Sequence, residues 1–329
     1  MQVHNHISID KKLASINNQE YQLVRPLATG KFILLCKNSQ GNDVVIKFEP
    51  RKNLHLVKTE IEALESFKSL FDFDTSDTIT LMDYALDVSL HYEKKKKKCF
   101  GSALILNFCN NRDLYYLIQP MQLLPFHDKE LLVRTIFRSI VITLHKIYEK
   151  SGRCHRDLKP ENIFIDGNRF ILADWAFSTD EKTQQEVLLG TPSFASPQIL
   201  RKEKYIASKN DIWSLGAILF EMLFGFSRHK VEGDIHNGFS IDKIDSSIYK
   251  SCCLKMSINL RTLIEGMLEI DESQRLSLSE IMRSDWFNGD TIEDPLLGKE
   301  IFLTQQEAEV KKRRRHLDMA PFRPRPTSP

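Results

Sequence analysis

The sequence predicts an α+β fold, rich in strands over its first third and helical beyond. Three patterns carry the prediction. From Tyr21 apolar and polar residues alternate as in a half-buried strand, and residues 43–48, 78–91 and 102–108 read as further strands. One helical period interrupts them over residues 54–70, with Leu56, Ile61, Leu64 and Phe67 on one face. Past residue 109 helices take over: 129–150 is a long amphipathic helix (Leu132, Ile136, Ile140, Leu144, Ile147), and 258–287 continues as helices. The 329 residues are enough for one large domain or two lobes.

Composition excludes several classes. Hydrophobic residues make up 42% and charged residues 27%, a globular balance that argues against wholesale disorder. A net charge of +2 sets up no global field for nucleic acid. The six cysteines (Cys36, Cys99, Cys109, Cys154, Cys252, Cys253) show no C-x-x-C pairing and read as reduced thiols of an intracellular protein. Residues 1–10 lack the apolar core of a signal peptide. The longest apolar stretch, 215–226, is broken by Glu221 and is too short to span a bilayer.

Residues 1–18 are polar and weakly patterned, and read as a loose leader. In Leu27-Ala28-Thr29-Gly30-Lys31-Phe32-Ile33-Leu34-Leu35 a single glycine marks a hairpin turn. Asp43-Val44-Val45-Ile46-Lys47-Phe48 places one lysine on an apolar strand. Five lysines, 94–98, link the next two strands as a solvated loop that discourages edge pairing, with an acidic or lipid partner as the other reading. Asp113-Leu114 opens a helix. After the long helix comes Cys154-His155-Arg156-Asp157-Leu158-Lys159-Pro160-Glu161-Asn162. An Asp with a Lys two residues on and an Asn five residues on suits phosphoryl transfer: a carboxylate accepts a hydroxyl proton, a cation neutralises the moving phosphate, and an amide oxygen holds a metal. Ile163-Phe164-Ile165, the turn Asp166-Gly167-Asn168 and Phe170-Ile171-Leu172 signal a hairpin that delivers Asp174-Trp175-Ala176.

The 154–162 run resembles the catalytic loop H-R-D-L-K-P-E-N of protein kinases, matched without a gap, in the form used by the Ser/Thr-specific branch. Further segments match in register. Residues 27–35 sit where that family has its Gly-rich loop, and Val44-Val45-Ile46-Lys47 resembles V-A-I-K. Asp174-Trp175-Ala176 resembles D-F-G. Gly190-Thr191-Pro192-Ser193-Phe194-Ala195-Ser196-Pro197-Gln198 is similar to G-T-P-x-Y-x-A-P-E, and Asp211-Ile212-Trp213-Ser214-Leu215-Gly216 to the start of the central helix of the large lobe. The resemblance covers residues 19–287 and ends near Asp285-Trp286-Phe287.

The resemblance implies a two-lobed protein kinase fold. Residues 19–108 are then a small β-rich lobe with one main helix, 109–287 a larger, mostly α-helical lobe, and 288–329 a charged tail. It implies ATP- and Mg²⁺-dependent transfer of the γ-phosphate to Ser/Thr hydroxyls of protein substrates. In that reading Asp157 is the base, Lys159 stabilises the transferring phosphate, and Thr191 sets a hydroxyl against both. Asn162 and Asp174 are the metal ligands. Lys47 contacts the α- and β-phosphates and is oriented by Glu60, with Glu62, roughly 200° round the helix, as the alternative. Leu27, Gly30, Leu35, Val45, Leu106 and Cys109 complete the nucleotide site, Leu106 as gatekeeper and Asn107, Phe108 and Cys109 as hinge. Asp211 braces the catalytic-loop backbone.

Several positions depart from the family pattern. Ala28 and Ile33 replace two loop glycines, Val45 an alanine, Trp175 the Phe and Ala176 the Gly of D-F-G. An alanine at 176 would need about 1–2 kcal/mol to reach the backbone states glycine allows. Gln198 replaces a glutamate and so removes the counter-charge expected for Arg275. These changes define the alternative, a pseudokinase acting as a nucleotide- or partner-binding scaffold, although none removes a charge from the catalytic positions. The in-register 190–198 and 211–216 segments argue against a small-molecule kinase. Arg156 implies an anion on the activation segment. The usual phosphosite positions hold Val187 and Glu186, so Glu186 is expected as a fixed anion, with Thr183 or Thr179 as the alternative. Asp113 and Glu161 match carboxylates that select basic acceptor sequences. The basic run Lys311-Lys312-Arg313-Arg314-Arg315 reads as a solvated face, a nuclear-import signal or a pseudosubstrate, and the expected location is intracellular, in the cytoplasm, the nucleus or both.

Overall fold

The first departure from these expectations lies at the N-terminus. A computed structural model describes residues 5–28, 30–71, 76–92, 97–110, 112–180, 184–185, 190–225 and 251–292. Strand β1 (His6–Ser8) and β2 (Leu13–Ile16) form where a loose leader was expected, and Ile7, Ala14 and Ile16 are fully buried. The physical reason is a hairpin signal. Leu13–Ile16 alternates inward and outward, and Asn17 and Asn18 follow with φ of 51° and 65°. Two adjacent left-handed residues make the reversal that matches strand twist, and asparagine tolerates it. The Asn17 amide also donates to both Asp83 carboxylate oxygens and to Tyr84 O, each at 3.0 Å.

The described chain groups into two units. The first runs to Leu54 and adds Leu81–Phe108. Its remaining strands are β3 (Gln19–Pro26), β4 (Phe32–Lys37), β5 (Asp43–Pro50), β6 (Leu81–Tyr92) and β7 (Lys97–Asn107). Neighbours pair antiparallel in the order β1-β2-β3-β4-β5-β7-β6, and β1 also lies parallel to β6, His6–Ser8 against Ser89–His91. One face carries the core, with Leu34, Ile46, Ile105 and Val88 joining Ile7 and Ile16.

The second unit holds His55–Thr80 and the described residues from Cys109 onward. Helix α1 (Leu54–Phe67), expected with the strand-rich lobe, groups here. The other helices are α2 (Leu114–Met121), α3 (Phe126–Ser151), α4 (Pro197–Leu200), α5 (Ala207–Phe224), α6 (Ile258–Met267) and α7 (Leu278–Arg283). Short strands β8 (Arg153–Cys154), β9 (Ile163–Asp166), β10 (Arg169–Leu172), β11 (Thr179–Asp180), β12 (Gln184–Gln185) and β13 (Tyr205–Ile206) lie between them. β9 and β10 are the expected hairpin, Ile165 opposite Phe170. α5 is buried on nearly every side, the signature of a helix at the centre of a helical core. α3 stops at Gly152, whose φ of 64° lets its N–H reach back to Tyr148 O. Near the end of the unit Trp286 donates from Nε1 to Glu130 at 2.7 Å and packs edge-on to Phe137. Among the described residues no helix is long and apolar enough to cross a membrane, and all six cysteines are free thiols.

Candidate active site

The loop after β8 is held from below by one buried carboxylate. Asp211, in the first turns of α5, accepts from His155 N at 2.7 Å, Arg156 N at 2.8 Å and the Tyr148 hydroxyl at 2.6 Å. Burial holds its carboxyl above the usual range, an effect that His155 and these donors offset only in part. The bracing expected of Asp211 is therefore present, and Tyr148 is an addition that a single tyrosine on an amphipathic helix could not announce. Arg156 takes φ of 66°, a left-handed state that costs a non-glycine residue about 1–2 kcal/mol. Its guanidinium donates to Phe177 O at 2.7 Å. Gly190 has φ of 96°, and a Cβ there would lie 2.7 Å from Arg156 O. Only glycine lets the 190–198 segment rest on the loop at this point.

Four predicted residues converge above that floor. Asp157 is 5% exposed. Its Oδ2 accepts from Lys159 Nζ at 2.6 Å and from Asn162 Nδ2 at 3.1 Å, and its Oδ1 accepts from the Thr191 hydroxyl at 2.8 Å. Lys159 also donates to Thr191 Oγ1 at 2.8 Å, and Asn162 to Asp157 O at 2.8 Å. The result is a closed ring of carboxylate, ammonium and hydroxyl, with charge-assisted bonds at its short edges.

Asp174 follows β10 with φ of 66°, at the mouth of a 3₁₀ turn over Trp175–Phe177. The backbone strain expected at Ala176 is thus absent, because Ala176 lies inside that turn, and the left-handed residue is Asp174 itself. Trp175 is fully buried, 4.7 Å from Phe67 of α1 and 4.5 Å from His155, ring centre to ring centre. It takes the packing role expected of it. On α1, Glu60 is 1% exposed, whereas the Glu62 carboxylate faces Arg153 at 3.6 Å and is largely solvated. Of the two candidates, Glu60 is the buried one.

Leu35, Val45, Lys47 and Leu106, predicted positions on the strands of the first unit, share one sheet face. Leu35, Val45 and Leu106 lie directly opposite one another across β4, β5 and β7, and Ile33, Lys47 and Leu104 form the next row. Residues two apart on a strand share a face, so Lys47 stands beside Val45, away from the Leu34–Ile46–Ile105 core side. Lys47 is 8% exposed. Gly30 has φ of 77° in the β3–β4 turn, which Leu27 N closes on Ile33 O at 2.8 Å. Cys109, in the second unit, is buried, and burial pushes its thiol up to about 12, so it is inert as a nucleophile.

Arg275 is the partner of Gln198, as expected, but with a different compensation. Its Nη2 donates to Gln198 Oε1 at 2.9 Å, Nε to Glu269 O at 2.9 Å and Nη1 to Lys209 O at 2.8 Å. Backbone carbonyls take the remaining donors, and Glu272, Glu269 and Asp271 favour the charge, so nearby acids stand in part for the missing carboxylate. Thr183, Glu186, Val187, Lys94–Lys96 and the basic run at 311–315 lie outside the described residues.

The family model of the protein kinase domain matches residues 24–287. Among curated proteins the chain is similar to CBL-interacting protein kinase 28 of Oryza sativa subsp. japonica, 33% identical over 160 residues, which is 47% of this chain and 36% of that protein. CBL-interacting protein kinase 10 of the same organism is 30% identical over 172 residues, 48% of this chain and 36% of that protein. The probable serine/threonine-protein kinase KIN1 homolog of Encephalitozoon cuniculi is 33% identical over 191 residues, 56% and 32% of the two chains. The chain thus spans about a third of the length of these relatives. With the family match running from β3 to the last turn of the helical unit, and the catalytic-loop ring within it, the chain belongs to the protein kinase family.

Proposed function

We propose that this chain is a serine/threonine protein kinase that transfers the γ-phosphate of ATP to hydroxyls of protein substrates. The observation that carries the reading is the Asp157–Lys159–Thr191 ring with Asn162 against it. A carboxylate so placed accepts the proton of an incoming hydroxyl as its oxygen bonds to the γ-phosphorus and the bond to the ADP oxygen breaks. The Lys159 ammonium stabilises negative charge on the transferring group, and Thr191 fixes the orientation of both. Lys47 and Glu60 would position the phosphates, and the Leu35–Val45–Leu106 row would take the adenine. The Ser/Thr acceptor class is supported by Thr191, by the Lys159-Pro160-Glu161-Asn162 sequence and by the similar protein described as a serine/threonine-protein kinase.

Asn162 and Asp174 would hold Mg²⁺. Both offer hard oxygen donors, and among the described residues no group of three or more His, Cys, Asp or Glu could hold a metal ion alone. That donor set fits a cation bound through one or two protein groups plus phosphate oxygens. When bound, the ion neutralises phosphate charge during transfer.

The test is phosphate transfer from labelled ATP with Mg²⁺ to a mixture of basic proteins, with Asp157→Asn alongside. Transfer should fall by about a hundredfold or more in the variant. Absence of transfer by the unaltered chain, with a thermal shift on adding ATP, would replace this reading with a nucleotide-binding scaffold.

A further inference from the structure

The start of α2 brings charges of both signs beside the loop that carries Asp157. The backbone there is pinned to β9: Ile165 N donates to Arg112 O at 3.0 Å, and Asp113 pairs with Phe164 in an isolated bridge. Asp113 caps α2, its carboxylate accepting from Tyr116 N. Glu161 sits in the 3₁₀ turn Pro160–Asn162, next to Asn162. Arg112 is exposed, yet its guanidinium is stacked 4.7 Å from the Tyr116 ring centre. A cation at a helix N-terminus works against the helix dipole. The aromatic face holds it there, on the turn that Asp113 caps.

The electrostatics agree with this placement. Burial first, and Glu161 after it, push the Asp113 carboxyl up to about 6, while Arg112 pulls it down. Asp113 therefore stands in the field of one further carboxylate, Glu161, and one cation, Arg112. A peptide that presents a hydroxyl to Asp157 has to lay its flanking residues on the surface next to the catalytic loop, and this turn and helix start form part of it. Carboxylates on that surface would select basic flanking residues, as the resemblance implies for Asp113 and Glu161. A guanidinium beside Asp113 opposes that preference.

We propose that Arg112 is a specificity-determining residue that restrains the selection of basic acceptor sequences. This rests on the protein kinase activity proposed above. The test uses the full chain, Arg112→Gln and Arg112→Lys with two peptides that share one acceptor serine and differ only in upstream arginines or alanines. Arg112→Gln should raise the ratio of kcat/KM for the arginine peptide over the alanine peptide about fivefold, through KM, and Arg112→Lys should return the ratio toward the unaltered value. The same peptides are titrated by calorimetry in the absence of ATP, where the ratio of Kd values should move alike. An unchanged ratio in both assays would overturn the assignment. A shifted Kd ratio without phosphate transfer would keep it and count against the kinase activity instead.

Discussion

Replacing Gln198 with glutamate should stabilise the protein. Arg275 is 1% exposed, and burial draws its guanidinium down to about 10 against the opposing pull of Glu272, Glu269 and Asp271. A tenfold change in proton affinity corresponds to about 1.4 kcal/mol, so the incompletely compensated charge costs the folded state roughly 3 kcal/mol. Gln198 offsets part of this with a neutral acceptor at 2.9 Å, while its amide nitrogen donates to Ile270 O at 2.6 Å. The first contact is already charge-assisted from the donor side, so what a carboxylate would add is the missing counter-charge, recovering most of that roughly 3 kcal/mol. It would lose the second, worth about 1 kcal/mol. The balance is a gain of about 1–2 kcal/mol, or roughly 2–6 °C in Tm. The gain exists only while the new side chain is ionised, so it is present near neutrality and lost as pH falls through its pKa. Calorimetry of the unaltered chain and Gln198→Glu at about pH 7.5 and about pH 3, below the ordinary glutamate range, reads both features. A Tm for the variant at or below that of the unaltered chain at the higher pH would refute the account of Arg275 as an under-compensated charge.

Three further outcomes are expected. Ala176→Gly should not raise activity and should cost up to about 1 kcal/mol of stability, because Ala176 occupies an ordinary 3₁₀ conformation; a several-fold rise in kcat would show that the cost at this position is real. Asp113→Asn keeps a good helix cap while removing a carboxyl whose pKa is raised on folding. The ionised form is the disfavoured one, so the variant should gain at most about 3 kcal/mol near neutrality. That gain should shrink as pH falls through 6 and vanish once the unfolded carboxyl is protonated too; a gain that persists in acid would count against it. Asn17→Ala should lower stability by about 1–2 kcal/mol in urea unfolding, with Asn17→Gly less affected, since both lose the Asp83 bonds but only alanine strains the positive φ; equal losses would assign the whole effect to the side chain.

The catalytic loop was legible because its chemistry is local. Asp157, Lys159 and Asn162 lie within six residues, and one turn of chain suffices to bring them together. The amphipathic α3 and the β9–β10 hairpin were legible by period and turn residues for the same reason. Thr191 could be placed only through resemblance, since its 34-residue separation from Asp157 is bridged by the fold. The N-terminal hairpin was missed because three- and four-residue strands give too little periodicity, although Asn17-Asn18 was the available sign. The carbonyl cage of Arg275 and the Glu62–Arg153 pair leave no trace in any local window, because backbone acceptors have no sequence identity and a solvated glutamate looks like any other.

Trp175 has a consequence for amide exchange. Its ring is sealed between Phe67 and His155, and its carbonyl accepts from Ser178 N at 3.0 Å while Ala173 N donates to Asn162 O at 2.9 Å. An indole buried this fully can swing out only by abandoning both rings, at a cost of about 3–5 kcal/mol by analogy with deleting a core aromatic. The amides of Ala173 and Ser178 should therefore exchange with deuterium no faster than those in the middle of α5, unlike a loop that opens by itself. The segment bearing Asp174 would then behave kinetically as part of the core, opening when α1 detaches from it and seldom before.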